Sequence, residues 1–263
     1  MLFPLEVTGI ARKRAPTTAT AAATTAALPM ISPIRAITLD LDDTLWPVWP
    51  ALAEAEQCVD RWLKQHHPDV ATRWPVDAMR ELREQVAREH SHLAHDFSAQ
   101  RKITIRQAFA ACGIDDAPVD ALWAIYYAAR NNVELYPDSL AALERIAARF
   151  PVVSISNGNA DLEVIGLHHL FHTRISASGA GVAKPDPKIF LAAAEALGMP
   201  PEHLLHVGDD PLLDVVGAHE AGLRTVWLNR TGEKWSHGPA PDLEFADMQG
   251  LADWLDDSIA VGG

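Results

Sequence analysis

Apolar residues gather into short runs bounded by turn residues at 34–39, 151–155, 203–207 and 223–228, with a weaker fifth at 174–177. Runs that are continuous rather than alternating, and rich in Val and Ile, read as strands buried on both faces. Between the later runs the period lengthens to that of a helix. From Pro187 to Leu197, a stripe of Ile189, Phe190, Ala193, Ala194 and Leu197 is closed by Gly198. A second helix from Asp214 to Ala221 is closed by Gly222, and a third from Leu140 to Phe150 stops at Pro151. This alternation predicts an α/β fold with a doubly wound parallel sheet. The stretch from Trp46 to Tyr136 breaks the rhythm. It carries helical patterns near 50–67, 77–95, 104–112 and 119–131 and no convincing strand. It is therefore read as an all-helical lobe, 47–135, inserted into an α/β core made of 33–46 and 136–257.

Composition narrows the class. The chain has 263 residues, 48% of them apolar, enough for a full core, and a net charge of −13. An acidic chain without a basic stripe is not a nucleic-acid surface. No run of about 18 apolar residues predicts a membrane span. Cys58 and Cys112 form no C-x-x-C pair and read as free core thiols of a reducing compartment, so a cytoplasmic location is expected. Residues 1–32 differ from the rest. Arg12-Lys13-Arg14 precedes a Thr/Ala tract from Thr17 to Ala27, and no acid follows Glu6. This segment reads as a disordered leader, with a targeting peptide as the alternative reading and Met30 as a candidate start.

Ligands of parallel α/β sheets bind beyond the carboxyl ends of the strands, so the residues following each run carry the candidate chemistry. The first run ends in Asp40-Leu41-Asp42-Asp43-Thr44, the second in Ser156-Asn157-Gly158-Asn159, and the fourth in Gly208-Asp209-Asp210 with Asp214 beyond. Lys184-Pro185-Asp186 precedes the Pro187 helix. Carboxylates at a buried strand end are costly unless a cation or hydrogen-bond donors compensate them. Acids, a hydroxyl, backbone amides and a lysine suit phosphoryl transfer. Acids can hold Mg²⁺, lysine neutralises phosphate oxygens, one carboxylate can act as nucleophile and another as acid and base. No H-E-x-x-H or Cys/His cluster accompanies the twelve histidines, and His206 reads as a packed strand residue. Trp46 and Trp49 are candidates either for stacking on an aromatic substrate or for packing at the lobe hinge. Arg130 reads as a phosphate contact or a solvated charge.

These four motifs, in this order, resemble those of the haloacid dehalogenase superfamily of phosphohydrolases, over about residues 34 to 250. The resemblance implies that Asp40 is the nucleophile and Asp42 the general acid and base. It implies that Mg²⁺ is held by Asp40, Asp209 and the backbone carbonyl of Asp42. Ser156, Lys184 and the Asn157 amide would clamp the phosphate, and Asp214 would support the metal's waters or orient Lys184. Asp209 rather than Asp210 would face the metal, and the helical lobe would be the family's cap. Asp at position 42 also resembles the phosphatases rather than the dehalogenase branch, which lacks an acid there. The sequences around Asp40, Ser156 and Asp209, and the lobe segment with Arg101, Lys102 and Arg106, resemble a bacterial subgroup. That subgroup acts on FMN and on the phosphorylated ribitylamino-uracil intermediate of riboflavin synthesis. The expectation is a phosphomonoesterase for a small metabolite, monomeric or a small homo-oligomer. The alternatives are a 2-haloacid dehalogenase or a non-catalytic binding protein on the same scaffold.

Overall fold

The computed structural model describes residues 34–260; the expected leader, 1–32, lies outside them. Six strands form one all-parallel sheet: β1 (Ala36–Leu39), β2 (Val152–Ser156), β3 (Thr173–Ser176), β4 (Leu204–Gly208), β5 (Arg224–Leu228) and β6 (Leu243–Phe245), in the order β3-β2-β1-β4-β5-β6. Helices α1 (Val48–His66), α2 (Pro68–Arg73), α3 (Val76–Glu89), α4 (Phe97–Ala110) and α5 (Val119–Arg130) lie between β1 and β2. The rest are α6 (Ser139–Ala147), α7 (Leu162–Ile165), α8 (Ala177–Ala180), α9 (Pro187–Leu197), α10 (Gly217–Glu220) and α11 (Met248–Ala260).

β1, β2 and β4 are buried at every position, which is why their sequences run apolar without alternation. Ile37 and Leu39 of β1 pack on one face with Leu143 and Ile146 of α6 and Leu251 and Leu255 of α11. Ala36 joins the other face with Ile189, Phe190 and Ala193 of α9 and Ala218 of α10. The inserted helices bury a separate set, including Leu63, Val70, Ile105, Phe109 and Leu122. β1 leads to the lobe through Asp43, the only described non-glycine residue at positive φ, 60°. Its carboxylate accepts from the Val48 amide at 2.9 Å, so the turn that starts the lobe is fixed by its own side chain. The return is pinned where Tyr136 N–H donates to the Leu45 carbonyl at 2.9 Å.

Three features of the fold differ from expectation. β6 was not expected: it has three residues and is not fully buried, so it carries no apolar run. The helix expected from Asp214 begins earlier, as a π-helical turn over Pro211–Val216 that passes into α10. Such turns are uncommon and gather at functional sites. The cysteines are free, as expected, but half-buried rather than in the core.

Candidate active site

The chain order of the strands reverses across β1, with β2 and β3 on one side and β4 to β6 on the other. A doubly wound sheet opens a crevice at such a switch point. Asp40 stands at the end of β1 there, and its amide donates to the Val207 carbonyl of β4 at 2.9 Å. The expected residues converge on this point. Lys184, 5% exposed, donates through Nζ to Asp40 Oδ1 at 2.5 Å and to Asp214 Oδ1 at 2.6 Å. Thr44 Oγ1 donates to Asp209 Oδ1 at 2.9 Å. Carboxylate oxygens of Asp40, Asp209 and Asp214 lie within 4.8 Å of one another.

Each of these side chains has a local reason for its place. Asp210 caps the π-turn, accepting from the Leu212 and Leu213 amides at 2.8 Å each, which leaves Asp209 to face the acids. Trp227 of β5 donates to the Asp209 carbonyl at 2.9 Å. Gly208 is required because a Cβ there would collide with the Asp214 carboxylate. Asn157 turns its side chain to the Lys184 backbone, accepting from its amide at 2.7 Å and donating to its carbonyl at 3.0 Å. Of Asn157, then, the backbone remains for substrate, while its amide group holds the lysine loop. Ser156 Oγ accepts from the Gly158 amide at 3.0 Å and keeps its own proton for a ligand. His206 is packed in β4 as expected, and its ring nitrogens meet Thr38 Oγ1 at 2.9 Å and Asp214 Oδ1 at 3.1 Å.

The electrostatics favour a bound cation. Burial pushes the Asp40 carboxyl well above its ordinary range, and the charges of Asp214 and Asp209 add to this against the pull of Lys184. Burial and the Asp214 charge likewise push Asp209 up to about 7. Burial opposes ionisation of Asp214 too, but Lys184 and His206 outweigh it and hold that group at about 2. One lysine therefore serves more acid than it neutralises, and a further positive charge among these oxygens would relieve the excess. The donors are all hard oxygens, the set that suits Mg²⁺.

Asp42 lies just outside this cluster. Trp46 Nε1 donates to its Oδ1 at 2.9 Å. Arg130 Nη2, at the last residue of α5, donates to Oδ1 at 2.7 Å and to Oδ2 at 2.6 Å. Arg130 is thus not a solvated charge but a buried partner of Asp42. Trp46 is wholly buried, and Trp49, 56% exposed, lies beside Arg80; neither lines the cavity above the acids. A cavity of about 500 Å³ opens above the acids, and Tyr126, Phe97, Leu52, Arg83 and Arg101 form its lobe wall. The Arg101 guanidinium lies 3.7 Å from the Tyr126 ring centre. Lys102 and Arg106, grouped with Arg101 by the sequence reading, are outside that lining; Lys102 faces Asp120 instead.

Residues 34–222 match the family model described as haloacid dehalogenase-like hydrolase. The chain is 30% identical over 226 residues to the 5-amino-6-(5-phospho-D-ribitylamino)uracil phosphatase YigB of Escherichia coli (strain K12), covering 83% of this chain and 94% of that protein. It is 31% identical to the glyceraldehyde 3-phosphate phosphatase of Methanopyrus kandleri, covering 82% and 92%. A solved 2-haloacid dehalogenase from Pseudomonas syringae pv. tomato DC3000 superposes with a TM-score of 0.80 at 33% identity, over 86% of this chain and 99% of that one.

Proposed function

The chain belongs to the haloacid dehalogenase-like hydrolases, and on that premise we propose that it is a Mg²⁺-dependent phosphomonoester hydrolase working through an aspartyl-phosphate. The observation that carries this reading is a second acid, Asp42, on the same cavity wall as the buried Asp40–Lys184 pair. Asp40 attacks phosphorus, the ester P–O bond breaks, and the departing alkoxide takes a proton from Asp42. Water then attacks the acyl phosphate as Asp42 takes its proton back, the bond from phosphorus to Asp40 breaks, and inorganic phosphate leaves. Lys184 and the Ser156 hydroxyl hold the non-bridging oxygens, and the Leu41 and Asn157 amides complete that cradle. Asp40, Asp209 and the Asp42 carbonyl would hold Mg²⁺, which when bound neutralises the phosphoryl group. Asp214 keeps Lys184 in place, and the lobe shields the reaction from water.

For the substrate, we propose a small phosphorylated metabolite, with FMN or 5-amino-6-(5-phospho-D-ribitylamino)uracil as first candidates. The likeness to YigB over most of both chains supports this choice. So does the lobe wall, where Phe97 offers an exposed ring and Arg83 and Arg101 offer planar donors to a flat polar ring. Among the described residues no helix is long and apolar enough to cross a membrane. The likeness to the Pseudomonas syringae dehalogenase supports a second reading, carbon–halogen hydrolysis. That reaction expels a halide that needs no proton, so it gives Asp42 no task as an acid.

Phosphate release from a panel of FMN, the ribitylamino-uracil phosphate, glyceraldehyde 3-phosphate, phosphoserine and nucleotides tests the class, with chloride release from 2-chloropropionate alongside. Activity on one of the first two esters is expected, lost on adding EDTA and restored by excess Mg²⁺. Chloride release without phosphate release would select the dehalogenase reading. Hydrolysis of other esters but not of those two would remove the named substrates alone.

A further inference from the structure

Arg130 is 1% exposed, yet it lines the cavity that holds Asp42 and Ser156. Burying a guanidinium is costly, and a buried ion pair is weak evidence of a role in stability alone. The compensation here is incomplete. Nη2 serves both oxygens of Asp42, and Nε donates to Asn159 Oδ1 at 2.8 Å. Nη1 is buried with no partner among the described residues. A cation left with an orphaned donor beside a reacting group calls for an explanation in function.

The contacts differentiate the two oxygens of Asp42. Oδ1 accepts from both Trp46 Nε1 and Arg130 Nη2, whereas Oδ2, among the described residues, accepts from Arg130 alone. Oδ2 therefore has the free lone pair that can carry a proton. Gly158 keeps the space beside it open, since a Cβ there would overlap Oδ2 and stand 3.3 Å from both Arg130 Nη2 and Ser156 Oγ. The proton-bearing oxygen, the arginine and the serine hydroxyl thus surround one point of the cavity.

We propose that Arg130 is a positioning residue for Asp42: it fixes the carboxyl with Oδ2 toward the reacting ester and stabilises the negative charge left when that oxygen gives up its proton. The inference rests on the reading of Asp42 as general acid. In the step concerned, Asp40 bonds to phosphorus and the P–O ester bond breaks. The ester oxygen takes the proton of Asp42 Oδ2, and the new carboxylate faces the Arg130 cation. Because Arg130 ends the last helix of the lobe, the lobe supplies part of the core's proton-transfer machinery. Any change in where α5 places Arg130 relative to Asp42 alters that step.

Leaving-group dependence provides the test, because an alkoxide needs a proton to depart and 4-nitrophenolate does not. The measurement is kcat/KM, which for this two-step reaction reports events up to the release of the alcohol. It is taken for the fastest alkyl ester of the panel and for 4-nitrophenyl phosphate, in the wild type, Asp42→Asn, Arg130→Gln, Arg130→Lys and Asn159→Ala. Asp42→Asn and Arg130→Gln are expected to lower the alkyl value by roughly 10²-fold, a scale set by general acid catalysis, while the aryl value stays within about threefold. Arg130→Lys recovers part of the loss, and Asn159→Ala, which frees Nε, shows a smaller loss in the same sense. Should Arg130→Gln fail to fold, Asn159→Ala and Arg130→Lys carry the comparison. Equal losses on both esters in the Arg130 and Asn159 variants would overturn the proposal and make Arg130 a phosphate or structural contact. Selective loss in Asp42→Asn alone would overturn it too, while leaving Asp42 the acid. No selectivity in Asp42→Asn, or no turnover of either ester by the wild type, would overturn the underlying reading and the proposal with it.

Discussion

Asp40→Asn is expected to reduce turnover by at least about 10⁴-fold while the protein stays folded. The amide has nearly the shape of the carboxylate but cannot attack phosphorus. Stability should change little because two effects oppose each other. The variant loses the ion pair with Lys184, 2.5 Å away, and it also loses a buried charge that Asp209 and Asp214 repel. Phosphate release and a thermal melt on the same preparation check both halves. A variant that melts like the wild type and keeps most of its activity would remove Asp40 from the chemistry.

Lys184→Met should damage both function and fold. Removal of a cation that holds phosphoryl oxygens is expected to lower kcat by about 10²–10³-fold, the scale found for loss of one transition-state donor. The structural loss has a separate cause. Lys184 lies between Asp40 and Asp214, and Asp214 is 1% exposed. Taking one partner from a buried ion pair costs about 3–5 kcal/mol, which for a chain of this size lowers the melting temperature by roughly 6–20 °C. The sign of the pH dependence follows from Asp214, whose carboxyl is held at about 2, below its ordinary value. A depressed carboxyl contributes stability above its unfolded pKa and loses it as pH falls through the folded value. The gap in melting temperature between wild type and Lys184→Met should therefore be wide at pH 7 and narrow as pH falls from about 4 toward 2. A gap independent of pH would mean that packing of the lysine stem, not its charge, sets the cost.

The site was legible in the sequence where burial and chemistry coincide. β1, β2 and β4 are buried on both faces, so their runs and the polar residues ending them stand out, and Asp40, Ser156, Lys184 and Asp209 meet at the end of the sheet as expected. β6 was illegible because a short strand only partly covered has no apolar signature. The cavity wall was illegible for a different reason. Trp46 and Trp49 were candidates because they follow Asp40 in sequence, but the helical lobe turns one into the core and the other outward, and Tyr126 and Phe97 line the cavity instead. Arg130 reaches Asp42 across 88 residues. Nothing in an amphipathic helix marks its last arginine as the partner of a distant carboxylate, since that pairing exists only once α5 is folded onto α1 and its end brought beside Asp42.

The covalent intermediate gives the most direct measurement. The enzyme is mixed with its best phosphate ester and Mg²⁺, quenched in acid within milliseconds, and mapped by peptide mass spectrometry for an acid-stable, hydroxylamine-labile phosphoryl group. Phosphate on Asp40, and none in Asp40→Asn, is the expected result. Steady ester hydrolysis with the label absent, or on another residue, would contradict the assignment of Asp40 as the nucleophile.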